Sequence, residues 1–118
     1  MRIHLREIAY ARSGDKGSDA NVGVIAYTSE GYQFLEKVLT AECLAQFLAP
    51  TGLQNAIRYE LPNLLAFNFI LKGALGLGGS QSLRVDAQGK ALGQITLELV
   101  LDISEAQLQK CLPPKAAS

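Results

Sequence analysis

Ile3 and Leu5 alternate with His4 and Arg6, and the apolar phase then slips so that Ile8 and Tyr10 carry it on. The pattern predicts a strand over Arg2–Ala11 with a bulge near Arg6–Glu7. The next run, residues 12–21, has no periodicity of either kind and places Gly14 and Gly17 among polar turn formers. It is predicted as a loop of roughly ten residues, longer than hairpin closure requires. Val22–Tyr27 is almost continuously apolar, which fits a central strand. Ser29 is placed to cap a helix over Glu30–Leu39, and Thr40 a second over Ala41–Ala49, where Leu44, Phe47 and Leu48 recur at three and four. Pro50 and Gly52 stop the second helix.

Ile57, Tyr59 and Leu61 alternate with Arg58 and Glu60, so Ala56–Leu61 reads as a half-buried strand. Leu64–Leu71 is apolar nearly all round except at Asn68, which predicts a helix in the core, ended by Gly73. A hairpin follows, from Ser82–Asp86 through Gln88-Gly89 to a long strand over Ala91–Ile103, where Ile95, Leu97, Leu99, Leu101 and Ile103 keep a period of two. Ser104–Cys111 reads as a short helix and residues 113–118 as a frayed tail.

The resulting order, β-β-α-α-β-α-β-β, predicts the α+β class: a ferredoxin-like, mostly antiparallel sheet with helices on one face. The other face has no cover in this scheme, which predicts a homo-oligomer that buries it or the sheet edge. At 118 residues the chain has room for one core.

Charge narrows the partners. Lys+Arg and Asp+Glu are equal at 11 each, there is no Trp, and the basic residues are scattered singly. A nucleic-acid binder would carry a basic stripe with interleaved aromatics, so nucleic acid is set aside. The first residues lack an apolar leader core and no stretch approaches the length of a membrane span, so a cytoplasmic protein with no membrane partner is expected. Cys43 and Cys111 lie far apart without a CxxC, which argues against a disulfide framework or zinc site.

The polar run is the one concentrated chemical signal. Arg12 and Lys16 can make charge-assisted bonds to a carboxylate or phosphate, and Gly14 and Gly17 permit consecutive N–H groups to form an anion nest. Ser13 and Asn21 add polar contacts, and Asp15 or Lys16 can act as acid or base if its surroundings tune it. A solvated turn would use the same residue types. Asn63 and Asn68 interrupt an apolar segment, either to satisfy backbone groups or to touch a ligand. Gly73–Gly79 lacks the lysine of a nucleotide-binding loop and is expected to be a connection. His4, the single histidine, is expected at the surface, Asp15 and Asp19 lack a third metal ligand, and no cofactor is indicated.

The stretches Ala11-Arg12-Ser13-Gly14-Asp15-Lys16-Gly17 and Ala20-Asn21-Val22-Gly23-Val24-Ile25-Ala26 resemble the C-terminal ferredoxin-like domain of the acyclic terpene utilisation (AtuA) family. Tyr59-Glu60-Leu61-Pro62-Asn63-Leu64, Ala66-Phe67-Asn68-Phe69, Lys72-Gly73-Ala74-Leu75-Gly76 and Ser82–Lys90 resemble it too. The resemblance implies a single such domain over residues 1–104, followed by a terminal helix and tail over residues 105–118. It also implies a role beside bacterial catabolism of branched acyclic terpenoids and their acyl-CoA intermediates, without defined catalytic residues. Arg12, Ser13, Asp15, Lys16, Asn21, Asn63 and Asn68 fall on its motifs. Tyr10 stands where a histidine is expected, and the family's larger N-terminal domain has no counterpart in these residues.

Three readings follow. The first is an accessory or ligand-binding subunit with an anion site at residues 12–21, docking a larger catabolic enzyme. The second is a small enzyme acting on an acyl-CoA or carboxylate through Asp15 or Lys16. The third is an oligomeric scaffold without a small-molecule site.

Overall fold

In the computed structural model, which describes residues 1–16, 19–73 and 90–114, the first alternating segment is split in two. β1 (Arg2–His4) ends in a 3₁₀ turn at Leu5–Glu7, and β2 (Ala9–Lys16) then enters a different sheet. The phase slip in the sequence is therefore a 3₁₀ turn rather than a bulge. Its start is held by the Glu7 carboxylate, which accepts from the His4 N–H at 2.8 Å.

β2 pairs antiparallel with β3 (Asp19–Ala26), so most of the predicted loop is a hairpin. The polar run hid a strand because neither of its faces needs large apolar groups. On one face Ala11 and Ser13 meet a helix that approaches closely at Gly93, whose N–H donates to Ser13 Oγ at 3.1 Å. A Cβ at Gly93 would lie 3.1 Å from that oxygen, so only small side chains fit there. The other face is not covered by any described element.

α1 (Ser29–Val38) and α2 (Ala41–Phe47) follow. Thr28, not Ser29, caps α1 by accepting from Gly31 N–H at 2.9 Å, and Thr40 caps α2 by accepting from Cys43 N–H at 3.0 Å. A 3₁₀ turn at Ala49–Thr51 ends at Gly52, which takes the left-handed conformation at φ 82°.

β4 (Asn55–Leu61) and β5 (Ala66–Lys72) form the second hairpin, joined by a 3₁₀ turn at Pro62–Leu64 and by Leu65 at φ 53°. The helix predicted over Leu64–Leu71 is thus a strand. Phe67, Phe69 and Leu71 are buried among the helices while Asn68 and Ile70 share the other face; a segment apolar on both faces lacks the alternation that reveals a strand.

α3 (Lys90–Thr96), β6 (Val100–Asp102) and α4 (Glu105–Cys111) complete the described chain. The long strand predicted over Ala91–Ile103 is overturned. Leu92 and Thr96, one helical turn apart, are both fully buried, and Thr96 Oγ1 donates to the Leu92 carbonyl at 2.8 Å. The apolar residues fit a period of two and also a spacing of three to four, and packing against β2 selects the helix. Only β6 keeps the strand form, paired with β1 at Ile3↔Leu101. Ser104 caps α4, accepting from Gln107 N–H at 3.2 Å. The predicted strand Ser82–Asp86, the connection after Gly73, and residues 115–118 lie outside the described residues.

The main sheet has the order β2-β3-β5-β4 with every neighbour antiparallel. β5 lies between the parallel strands β3 and β4, so β3–α1–α2–β4 is a split βαβ unit. β2 holds the edge that the last strand of a ferredoxin-like unit would take, supplied here from earlier in the chain. The core lies between this sheet and the helices: Val22 and Val24 pair across to Phe69 and Phe67, and Tyr32 of α1 stacks on Phe67 at 4.6 Å. Arg58 fastens the C-terminal end of α1, donating to the carbonyls of Glu36 and Leu39 at 3.0 Å each while lying 5.2 Å over the Phe67 ring. No helix among the described residues is long and apolar enough to cross a membrane.

Candidate functional site

Strand register arranges the open face in rows. Tyr10, Ile25, Ala66 and Leu61 form one row across the four strands, and Arg12, Gly23, Asn68 and Tyr59 form the next. Gly14, Asn21, Ile70 and Ile57 form a third. Adjacent rows are about 6.8 Å apart, two residues along a strand.

A hollow of about 320 Å³ opens on this face. Arg12, Asn21 and Asn68 form its polar side, Gly14 and Gly23 part of its floor, and Ile25, Leu61, Leu64 and Ala66 its apolar side. Asn21 donates from Nδ2 to Asn68 Oδ1 at 3.4 Å, and its own oxygen leans over Gly14, 3.1 Å from where a Cβ would sit. The bridged pair leaves the Asn68 amide nitrogen as a donor.

Gly23 is the informative residue. It sits mid-strand in a central strand, where glycine is disfavoured, and a Cβ built there would find its nearest atom, the Arg12 carbonyl oxygen, at 3.8 Å. Packing does not require glycine at this position. Its missing side chain is what leaves the gap between Arg12 and Asn68.

Among the described arginines, Arg12 is the one without an ion pair. Arg2 faces Asp102 at 3.7 Å, Arg6 faces Glu98 at 2.6 Å and Arg58 faces Glu60 at 3.0 Å. On the same sheet face Lys72 is paired with Asp19 at 3.5 Å, and Gly73 N–H donates to Asp19 at 2.9 Å. Arg12, which lines the hollow and has no ion pair among the described residues, is therefore a cation on this face available to a ligand.

The structure brings Arg12, Gly14, Asn21 and Asn68 together and separates others from them. Ser13 borders the hollow, but its hydroxyl turns to the opposite face against α3, where it accepts from Gly93 N–H. Asn63 is exposed in the 3₁₀ turn and does not line the hollow. Asp15 and Lys16 are paired in register with Ala20 and Asp19, three and four residues along β2 from Arg12, about 10–14 Å away. Gly17 lies outside the described residues. At Gly14 successive N–H groups of the paired strand point to opposite sides and do not converge, and the Gly17 half of the expected anion nest lies outside the described residues.

Sequence reasoning missed Gly23, Ile25, Leu61, Leu64 and Ala66. A glycine inside the apolar run Val22–Tyr27 was the available signal. Elsewhere, a hollow of about 360 Å³ between α1 and α4 mixes Glu30 with Lys37 and Lys110 and contains none of the motif residues. Cys43 is half-buried and Cys111 buried, and burial raises both thiols above their ordinary pKa, so neither is an activated nucleophile. Among the described residues no group of three or more His, Cys, Asp or Glu side chains is placed to hold a metal ion.

Fold and face together define a small domain that carries a ligand-sized hollow on an antiparallel sheet face that no described element covers. The chain belongs to the AtuA ferredoxin-like domain family, whose family model matches residues 3–102. No protein of curated function and no solved structure matches it.

Proposed function

We propose that the domain is a binding module for a small anionic ligand, held on the open sheet face with Arg12 as its charge partner. The observation that carries this reading is the gap at Gly23, flanked by an arginine without an ion pair and by the Asn21–Asn68 pair. A guanidinium offers a planar fork of donors to a carboxylate or phosphate, and Asn68 adds a further donor. Binding of intermediates in branched acyclic compound catabolism, as the family's name suggests, belongs to this proposal. Asp15 and Lys16 have no place in it, since their positions along β2 are remote from Arg12.

Thermal unfolding of the wild type and Arg12→Ala against acetate, branched carboxylates, phosphate, free CoA and acyl-CoAs tests the reading. A ligand at 100 times its Kd adds about 2.7 kcal/mol, raising the midpoint by roughly ten degrees in a domain of this size. Stabilisation of the wild type that disappears in Arg12→Ala is expected. No shift with any of them would overturn the proposal.

A second reading is supported by the exposure of Tyr59 and Leu64, 52% and 65% of their surface, on or beside the same face. Here the face is covered by another protein surface, either a second copy or a larger catabolic partner. Sedimentation at micromolar concentration, alone and with candidate partners, distinguishes the two: a monomer that binds none of them would remove this reading.

A further inference from the structure

Resting on that reading of the hollow, we infer that its ligand is a monocarboxylate with a compact apolar tail, rather than a phosphorylated compound or a CoA thioester. Three features of the face specify this class.

The first is charge. Arg12 is the one charged residue among the described residues lining the hollow, and the neighbouring Lys72 is paired with Asp19. One guanidinium matches one negative charge. A phosphate dianion, or the several phosphates of CoA, would bring charge that no lining residue meets.

The second is the supply of donors. β3 is hydrogen-bonded to β2 on one side and to β5 on the other, so the N–H groups of its paired residues are used in the ladders. Phosphate sites commonly draw on clustered backbone N–H groups. The central strands leave the hollow the side-chain donors of Arg12 and Asn68, a planar fork and an amide, which suit the two oxygens of a carboxylate.

The third is the separation of polar and apolar groups by register. The row containing Arg12 and Asn68 is followed, about 6.8 Å along the strands, by the row of Ile25, Ala66 and Leu61, and Leu64 stands beyond Leu61 in the adjoining turn. A carboxylate on Arg12 directs its tail across Gly23 onto this apolar strip. The strip has room for about four to six carbons before the tail passes its edge. The hollow of about 320 Å³ accepts such an acid and is at the small end of ligand pockets.

The test is calorimetric titration of the full chain with the unbranched series from acetate to decanoate, with hexanamide, inorganic phosphate and CoA as comparisons, repeated on Leu64→Ser and Arg12→Ala. Leu64 is largely exposed, so its replacement leaves the fold intact. Affinity is expected to rise about fourfold per methylene and to level off near hexanoate. Leu64→Ser should weaken hexanoate several-fold and leave acetate unchanged, and hexanamide should bind at least tenfold more weakly than hexanoate. If phosphate or CoA binds in an Arg12-dependent way while chain length has no effect, the ligand class assigned here is wrong and the site stands. If nothing binds, both the class and the site fail.

Discussion

Replacing Gly23 by valine separates a residue kept for packing from one kept for space. The glycine lies in the interior of a central strand, and the atom nearest to a Cβ placed on it is 3.8 Å away, an ordinary van der Waals distance. The variant therefore meets no clash at Cβ. Glycine in a strand interior costs about 0.5–1 kcal/mol relative to alanine, through the entropy of the unfolded chain. β-Branching adds up to about 1 kcal/mol of strand preference, part of it offset because the new methyl groups face the open hollow. Gly23→Val is expected to raise stability by about 1 kcal/mol, or roughly 4–6 °C in midpoint. Urea denaturation followed by circular dichroism, with Gly23→Ala as an intermediate step, measures it. The same variant should lose the stabilisation that a carboxylate gives the wild type, because its side chain fills the gap between Arg12 and Asn68. Destabilisation by more than about 1 kcal/mol would refute the claim that the position is sterically open. A stabilised variant that still binds would refute the claim that the ligand crosses Gly23.

The helix layer gives further expectations. Arg58→Ala removes donors from two α1 carbonyls and a cation from the Phe67 ring, so a loss of about 2–4 kcal/mol is expected in urea denaturation, and a loss below about 1 kcal/mol would contradict the role given to Arg58. The Tyr32 hydroxyl is buried without a hydrogen-bond partner, its ionisation disfavoured first by burial and then by Glu60 and Glu36. Tyr32→Phe should accordingly be neutral or stabilising by up to about 1 kcal/mol, and a clear loss would show that the hydroxyl is satisfied. The raised pKa of Cys111 means that its thiolate forms only above the ordinary thiol range, so mass spectrometry after iodoacetamide treatment near pH 8 should find it unmodified in the native protein and alkylated in urea; rapid native labelling would contradict its burial.

The sequence carried more of the fold than of the site. The cap at Thr40, the strand over Ala56–Leu61, the short helix from Ser104 and the apolar centre of β3 were legible because local chemistry decides them, but the apolar residues Ile57, Tyr59 and Leu61 of that strand lie on the open face rather than the buried one. Two segments were not legible. In residues 66–72 Phe67, Phe69 and Leu71 meet the helices while Ala66 and Ile70 keep the open face partly apolar, so the period that marks a strand is weak. Residues 91–99 satisfy two periods at once, and only contact with β2 through Gly93 and Ser13 selects the helix. The site was half legible. Arg12, Gly14, Asn21 and Asn68 stood out as polar or glycine positions, but as members of a supposed loop and a supposed helix. Their meeting depends on the pairing of β2 with β3 and of β3 with β5, which no local pattern displays. The same register turns the side chains of Ser13 and Arg12, neighbours in sequence, to opposite faces of one strand.

A ¹H–¹⁵N correlation spectrum of the labelled protein titrated with hexanoate tests the central claim most directly. The account predicts saturable shifts concentrated at the backbone amides of Arg12, Gly14, Asn21, Gly23 and Asn68 and at the Asn21 and Asn68 side-chain amides, with residues of α1 and α4 unmoved. Shifts confined to the α1–α4 groove, or none at millimolar hexanoate, would contradict it.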